Sequence, residues 1–255
     1  KPYKMKKICL LMIVTLAAVA MQAQNTNDKT ENTERAPAKN AVKLNLFALP
    51  LKNISLQYER AVARKVTIAG TIRYMPTGSI PFQSVFNDLA ADSDLDRQLS
   101  KLNVGNIAFI PELRYYLGKH GAFRGFYLGL FADIARYNAD IVYEYDDAGT
   151  TKTIPMSGGL TGITGGLMIG AQFKLGKKIY LDWWILGPNY GISDGSLSGK
   201  KTMNASEQQS LRDELDAQDI PLTRFTYTVD GNGATINMKG PWAGIRSGLC
   251  IGFRF

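Results

Sequence analysis

Residues 240–255 read GPWAGIRSGLCIGFRF, and they alternate with a period of two. Ala243, Ile245, Leu249, Ile251, Phe253 and Phe255 fall on one face. Trp242, Gly244, Arg246, Gly248, Cys250, Gly252 and Arg254 fall on the other. Successive side chains of a strand point to opposite sides, so this pattern predicts a β-strand with one apolar and one polar face. An arginine facing lipid at mid-membrane costs roughly 2–4 kcal/mol. The arginine face therefore points into a closed barrel and the apolar face meets lipid.

The same parity runs upstream. In 54–62, Ile54, Leu56 and Tyr58 oppose Ser55, Gln57 and Glu59; in 66–75, Val66, Ile68, Ile72 and Tyr74 oppose Thr67, Thr71 and Arg73. In 106–117, Ile107, Phe109, Leu113 and Tyr115 oppose Glu112, Arg114 and Tyr116; in 126–136, Leu128, Leu130 and Ile134 oppose Tyr127, Gly129 and Asp133. Residues 158–173 are glycine-rich, with Ile163, Leu167, Ile169 and Phe173 on one side, as befits a strand with close backbone approaches. Residues 179–186 set Ile179, Leu181, Trp183 and Ile185 against Tyr180, Asp182 and Trp184. With 42–48 first and the C-terminal stretch last, the expectation is an all-β fold, a closed antiparallel transmembrane β-barrel of about eight strands. The connections agree with it. Those after the second, fourth and sixth strands are short (63–65, 118–122 and 175–177), whereas three of the four others, 76–103, 146–157 and 190–239, are long and only the first, around 50–53, is short. Outer-membrane barrels have short periplasmic turns and longer outer loops.

The other end of the chain predicts export. Lys4, Lys6 and Lys7 precede an apolar run from Ile8 to Met21 and then Gln22-Ala23-Gln24, the pattern of a cleaved secretory signal. A bilayer-spanning helix needs about twenty apolar residues, and this run is shorter. The expected division is a signal peptide at 1–23, a flexible periplasmic segment at 24–41 and the barrel at 42–255, in the outer membrane of a Gram-negative bacterium. Cleavage removes four lysines and lowers the formal charge from +8 to +4, so the basic balance is no sign of nucleic-acid binding. One cysteine, Cys250, and one histidine, His120, then remain. They allow neither an internal disulfide nor a His-rich metal site.

SLQYERAV with the following TIAGTIRYMP, then PELRYYLGKHGAFRGFYLGLFA, LDWWILGPNYG and the closing GIRSGLCIGFRF, resemble an uncharacterised outer-membrane β-barrel family of Bacteroides-like bacteria, a domain of unknown function. The most specific pieces are Pro111-Glu112-Leu113-Arg114-Tyr115-Tyr116 and Leu181-Asp182-Trp183-Trp184. The resemblance implies a secreted barrel and brings no activity, cofactor or catalytic residue with it. Ile251, Phe253 and Phe255 similarly resemble the terminal signal that barrel insertion machinery recognises.

The inward set holds Lys43, Arg73, Arg114, Arg246 and Arg254 against Glu59, Glu112, Asp133 and Asp182. An eight-stranded barrel is just wide enough for its side chains to fill it. The expectation is thus a plugged, ion-paired interior and a non-catalytic structural or surface-interaction role; the alternatives are a narrow solute or ion channel and a lipid-modifying enzyme. His120 lies in a short turn, away from the outer rim where such chemistry would sit, and no catalytic constellation, cofactor site or metal site is expected. Asp92, Asp94 and Asp96 start like a calcium loop, but Arg97 stands where glycine is needed and Asn103 where glutamate is. Short helices are expected in 82–102 and 206–218. The second would open on a Ser206/Gln209 capping box, end before Pro221, and bury Leu211 and Leu215 on the barrel mouth or a partner. Residues 123–145 are long enough to protrude well beyond the membrane and 225–238 are a candidate hairpin above it; the two could extend the barrel wall at the surface, which leaves ten strands open. Expected partners are outer-membrane lipid and lipopolysaccharide, the insertion machinery, and an envelope or surface protein met through loops 76–103 and 190–239; no nucleic acid is among them.

Overall fold

The structure, a computed structural model, describes residues 38–81, 101–217 and 222–255. The signal segment, nearly all of the lead-in, the expected 82–102 helix with its aspartate run, and Pro221 lie outside the described residues. The wall is built from β1 (Asn40–Asn45), β2 (Ile54–Ala63), β3 (Val66–Ser79), β4 (Asn103–Tyr116), β5 (Gly125–Asp147), β6 (Thr150–Lys174), β7 (Ile179–Lys200) and β9 (Gly233–Arg254). Each pairs antiparallel with the next, and β1 pairs with β9 from Ala41↔Arg254 to Asn45↔Cys250, which closes a ring of eight strands. A ninth strand, β8 (Arg224–Asp230), adds to β9 at one end of the ring.

The outward residues form an apolar girdle. Ile68, Phe109, Leu130, Leu167 and Ile251 are between 41% and 65% exposed, and Ile245 is 73% exposed. Above it the outward face turns polar, at Arg136 on β5, Thr161 on β6 and Asp194 on β7. Soluble monomers rarely leave so large a contiguous apolar surface bare.

Several strands run differently from the sequence expectation. β1 stops at Asn45 and not at Ala48, because Pro50 sits in a 3-10 turn at Leu49–Leu51. The expected long connection at 146–157 is strand: β5 and β6 pair without interruption to Asp147↔Thr150 around a turn at Ala148-Gly149, both with positive φ. That turn geometry suits the twist of a two-residue hairpin. β7 and β9 likewise extend through much of 190–239, and the hairpin at 225–238 is present as β8–β9. β7 also carries a bulge between Trp184 and Gly187, where Ile185 and Leu186 together oppose Ser247. The extra residue reverses the inward parity, so that Tyr180, Asp182 and Trp184 point in below it, and Gly187 and Ser193 above it.

The extended strands carry a second core beyond the girdle. Helix α1 (Ala205–Asp216) buries Leu211 and Leu215 against Tyr145, Ile154, Met156, Val229 and Ile236. Its capping box is formed by Asn204 and Glu207, two residues before the expected Ser206 and Gln209. Asn204 accepts from the Glu207 amide at 2.9 Å and Glu207 accepts from the Asn204 amide at 3.0 Å. Ser206 and Ser210 instead donate to Asp147 at the hairpin tip. Truncating Leu211 to alanine should cost this head about 2–5 kcal/mol, as in other large-to-small core changes. Amide hydrogen exchange should then accelerate in α1 and β8 and stay unchanged in 54–74.

Candidate functional site

Because the period is two, residues 57 and 59 of β2, 112 and 114 of β4, and 182 of β7 all project into the bore, where their side chains meet. Arg114 is fully buried and bridges three carboxylates. Its Nε and Nη2 donate to Glu112 at 2.7 and 3.1 Å, and its Nη1 donates to Asp182 at 2.7 Å and to Glu59 at 3.3 Å. Lys43, also buried, is paired with Glu59, donates to Asp182 at 2.5 Å and reaches Gln172 at 3.3 Å. Arg246 donates to Glu112 at 2.8 Å and to Thr71 at 3.2 Å, with its guanidinium 4.1 Å from the centre of the Trp184 ring. Three cations thus face three carboxylates, all of them buried. Arg73 and Asp133 form a separate, partly exposed pair at 3.2 Å above them.

Arg254 stands apart from this cluster. It donates to the Ala38 carbonyl at 2.6 Å and the Tyr180 hydroxyl at 3.2 Å, and stacks over Phe123. The expectation that the whole inward set pairs mutually is therefore corrected at Arg254, which lies at the turn end among backbone and aromatic groups. Ile251, Phe253 and Phe255 point outward at the same end, the two phenylalanines stacked at 6.4 Å.

Charge counting missed the neutral members. The Tyr116 hydroxyl lies 2.8 Å from Glu59 and 2.6 Å from Gln172, Tyr127 donates to Asp182 at 2.9 Å, and the Trp184 indole donates to Asp182 at 3.1 Å. Gln57 donates to Thr71 at 2.9 Å and to Glu112 at 3.3 Å. The inward parity of their strands is the signal that could have found them. Two glycines make room: a Cβ on Gly170 would sit 2.3 Å from the Tyr127 hydroxyl, and one on Gly252 would sit 2.9 Å from the Lys43 side chain.

At the turn end, Phe123, Tyr180 and Ala41 form a buried floor, with Phe123 held at φ 69°. At the hairpin end α1 lies against the inner face of the extended wall. In this head, burial and nearby Glu214 push the Tyr143 phenol up from its ordinary value. Cys250 is buried beside the network. His120 lies at the turn end, on a cavity of about 440 Å³ that it shares with Arg64 and Arg254. Among the described residues no group of three or more His, Cys, Asp or Glu is arranged to hold a metal ion.

Removing one partner of a buried ion pair strands the others, at a cost of typically 3–5 kcal/mol. Arg114→Ala, which strands Glu59, Glu112 and Asp182, and Glu112→Ala should each lower the temperature at which the barrel loses its compact form on a detergent gel. An unchanged transition in both variants would contradict the pairing.

Comparison with known proteins adds a family and a distant structural likeness. The chain is similar to the N-terminal β-barrel domain of OprF from Pseudomonas aeruginosa at 10% identity, covering 87% of this chain and 100% of that one, with a TM-score of 0.28. No curated protein matches. A family model described as a protein of unknown function (DUF3575) matches residues 9–193. That match takes in β1 through β6 and β7 as far as Ser193, and it ends before the closing strand whose motif also carried the resemblance in the sequence. The chain belongs to the DUF3575 family.

Proposed function

We propose that this chain is a non-conducting, non-catalytic barrel of the outer membrane that carries a folded head on the cell surface. The observation that supports it most is the buried, charge-balanced network of the bore, which stands on an aromatic floor. A path for ions would have to cross Arg114, Lys43 and Asp182, each of which already holds its counter-charges. The apolar girdle sits in lipid, the short turns face the periplasm, and residues 1–23 act as the export signal before a periplasmic lead-in. Ile251, Phe253 and Phe255 address the insertion machinery. Lipopolysaccharide surrounds the upper wall, and the head formed from 190–239, with loop 76–103, meets an envelope or surface partner. The family's Bacteroides-like setting belongs to the same reading.

Purified protein reconstituted into planar bilayers should give no steady open current under applied voltage. Stepwise, sustained conductance from the unmodified protein would overturn the plugged reading in favour of a solute or ion channel.

A further inference from the structure

Among the described residues, the wall is low on one side. β1 ends at Asn45, and its last backbone bond to β9 runs from the Leu46 amide to the Leu249 carbonyl. β2 begins only at Ile54, opposite Tyr74. Above that hairpin, β3 continues to Ser79 and β9 runs back to Gly233, with β8 covering β9 only from Gly233 to Lys239. Between Pro241 and Gly248, no other strand among the described residues pairs with this edge of β9. Alternate residues of a strand turn their backbone groups to the same side. Since the Leu249 carbonyl faces β1, those of Ala243, Ile245 and Ser247 face the opening. The opening spans two missing strands, about 14 Å at normal strand spacing.

It lies at the level of the girdle, because β7 neighbours this part of β9 with Tyr190 opposite Ala243 and Ile192 opposite Pro241, both more than 60% exposed. Open sheet edges bare to hydrocarbon do not occur, since each unsatisfied backbone group there costs several kcal/mol. Behind the opening is a cavity of about 540 Å³, in the size range of small-molecule sites. Phe47, Leu51 and Ile245 form its apolar lip, and Trp184 and Arg246 lie at its inner end. The Asn53 side-chain carbonyl on its wall is a buried acceptor without a partner.

We propose that this window is a lateral binding site for a membrane-borne amphiphile with one hydrocarbon chain and an uncharged head group bearing hydroxyls. The inference rests on the reading of the girdle as lipid-facing. The chain lies on Phe47, Leu51 and Ile245, where it passes from bilayer to cavity. The head donates to Asn53 and accepts from the exposed amides of β9. An uncharged head is required because Arg246 and Arg73 already hold Glu112 and Asp133. The depth of the window selects a ligand arriving through the bilayer.

The test is photolabelling of the full-length protein in phospholipid vesicles with a diazirine-bearing monoacylglycerol, followed by peptide mapping. Labelling of 46–53 and 241–248 should exceed that of the far wall around Leu128 and Leu167. Excess unlabelled monoacylglycerol should suppress this surplus, and the combined Phe47→Ala and Asn53→Leu variant should reduce it about tenfold. Both substitutions lie in the β1–β2 loop, and an unchanged gel shift on heating would report an intact barrel. Equal labelling all round the girdle would overturn the window while leaving the membrane reading standing. So would an unlabelled window with a labelled far wall, the pattern expected if a polypeptide segment covers the edge. No labelling at any wall position would overturn the membrane reading itself.

Discussion

In the proposed membrane setting hydrocarbon offers no hydrogen-bond partner to a peptide group, and the pairing of β1 with β9 is where the chain answers that constraint. Five register partners, from Ala41↔Arg254 to Asn45↔Cys250, join the first wall strand to the last. Without them each strand of the pair would present a row of open amides and carbonyls at membrane depth. Once the ring is closed, period two does the rest. Every second residue meets the outside, where Ile68, Phe109 and Leu167 are at home, and every other one is committed to a narrow bore. The polar side chains sent there must satisfy one another.

The composition of the bore follows from that commitment. A lone buried charge is costly, and a buried pair is favourable only when its remaining donors and acceptors are also occupied. Here Arg114 spans Glu59, Glu112 and Asp182, and Tyr116, Tyr127, Gln57 and Trp184 add neutral donors, while Gln57 Oε1 and Gln172 Nε2 stay buried without a partner. The head relies on different physics. Beyond the girdle, water surrounds the outer face, and the inner face is filled by Leu211, Leu215, Met156 and Ile236 as in a soluble domain.

Much of this was legible in the sequence, and the failures have physical causes. The inward parity of Glu59, Glu112, Arg114 and Asp182 follows from alternation within strands that run regularly through lipid. The length of 123–145 pointed to a wall extended beyond the girdle, and β5 does run on to Asp147. Its outward face turns polar at Arg136, and Tyr145, Ile154 and Met156 keep the inward half of the pattern. The bulge at Ile185-Leu186 leaves no mark in composition, since both residues are apolar. Asn204 and Glu207 form as good a capping box as Ser206 and Gln209 would, and tertiary contacts with Asp147 decide between them. The low wall above β1 is invisible to periodicity, because it depends on where neighbouring strands stop.

Closure of β1 on β9 can be tested by covalent capture. Asn45 and Cys250 are register partners with both side chains buried in the bore. They occupy a non-hydrogen-bonded position, where antiparallel Cα atoms approach to about 4.5 Å, within disulfide range. In the Asn45→Cys variant, mild oxidation of the membrane-inserted protein should link residue 45 to Cys250, seen as a single cross-linked peptide pair that disappears on reduction. Two thiols that stay free, and alkylate fully after unfolding of the oxidised sample, would contradict a wall closed by these strands.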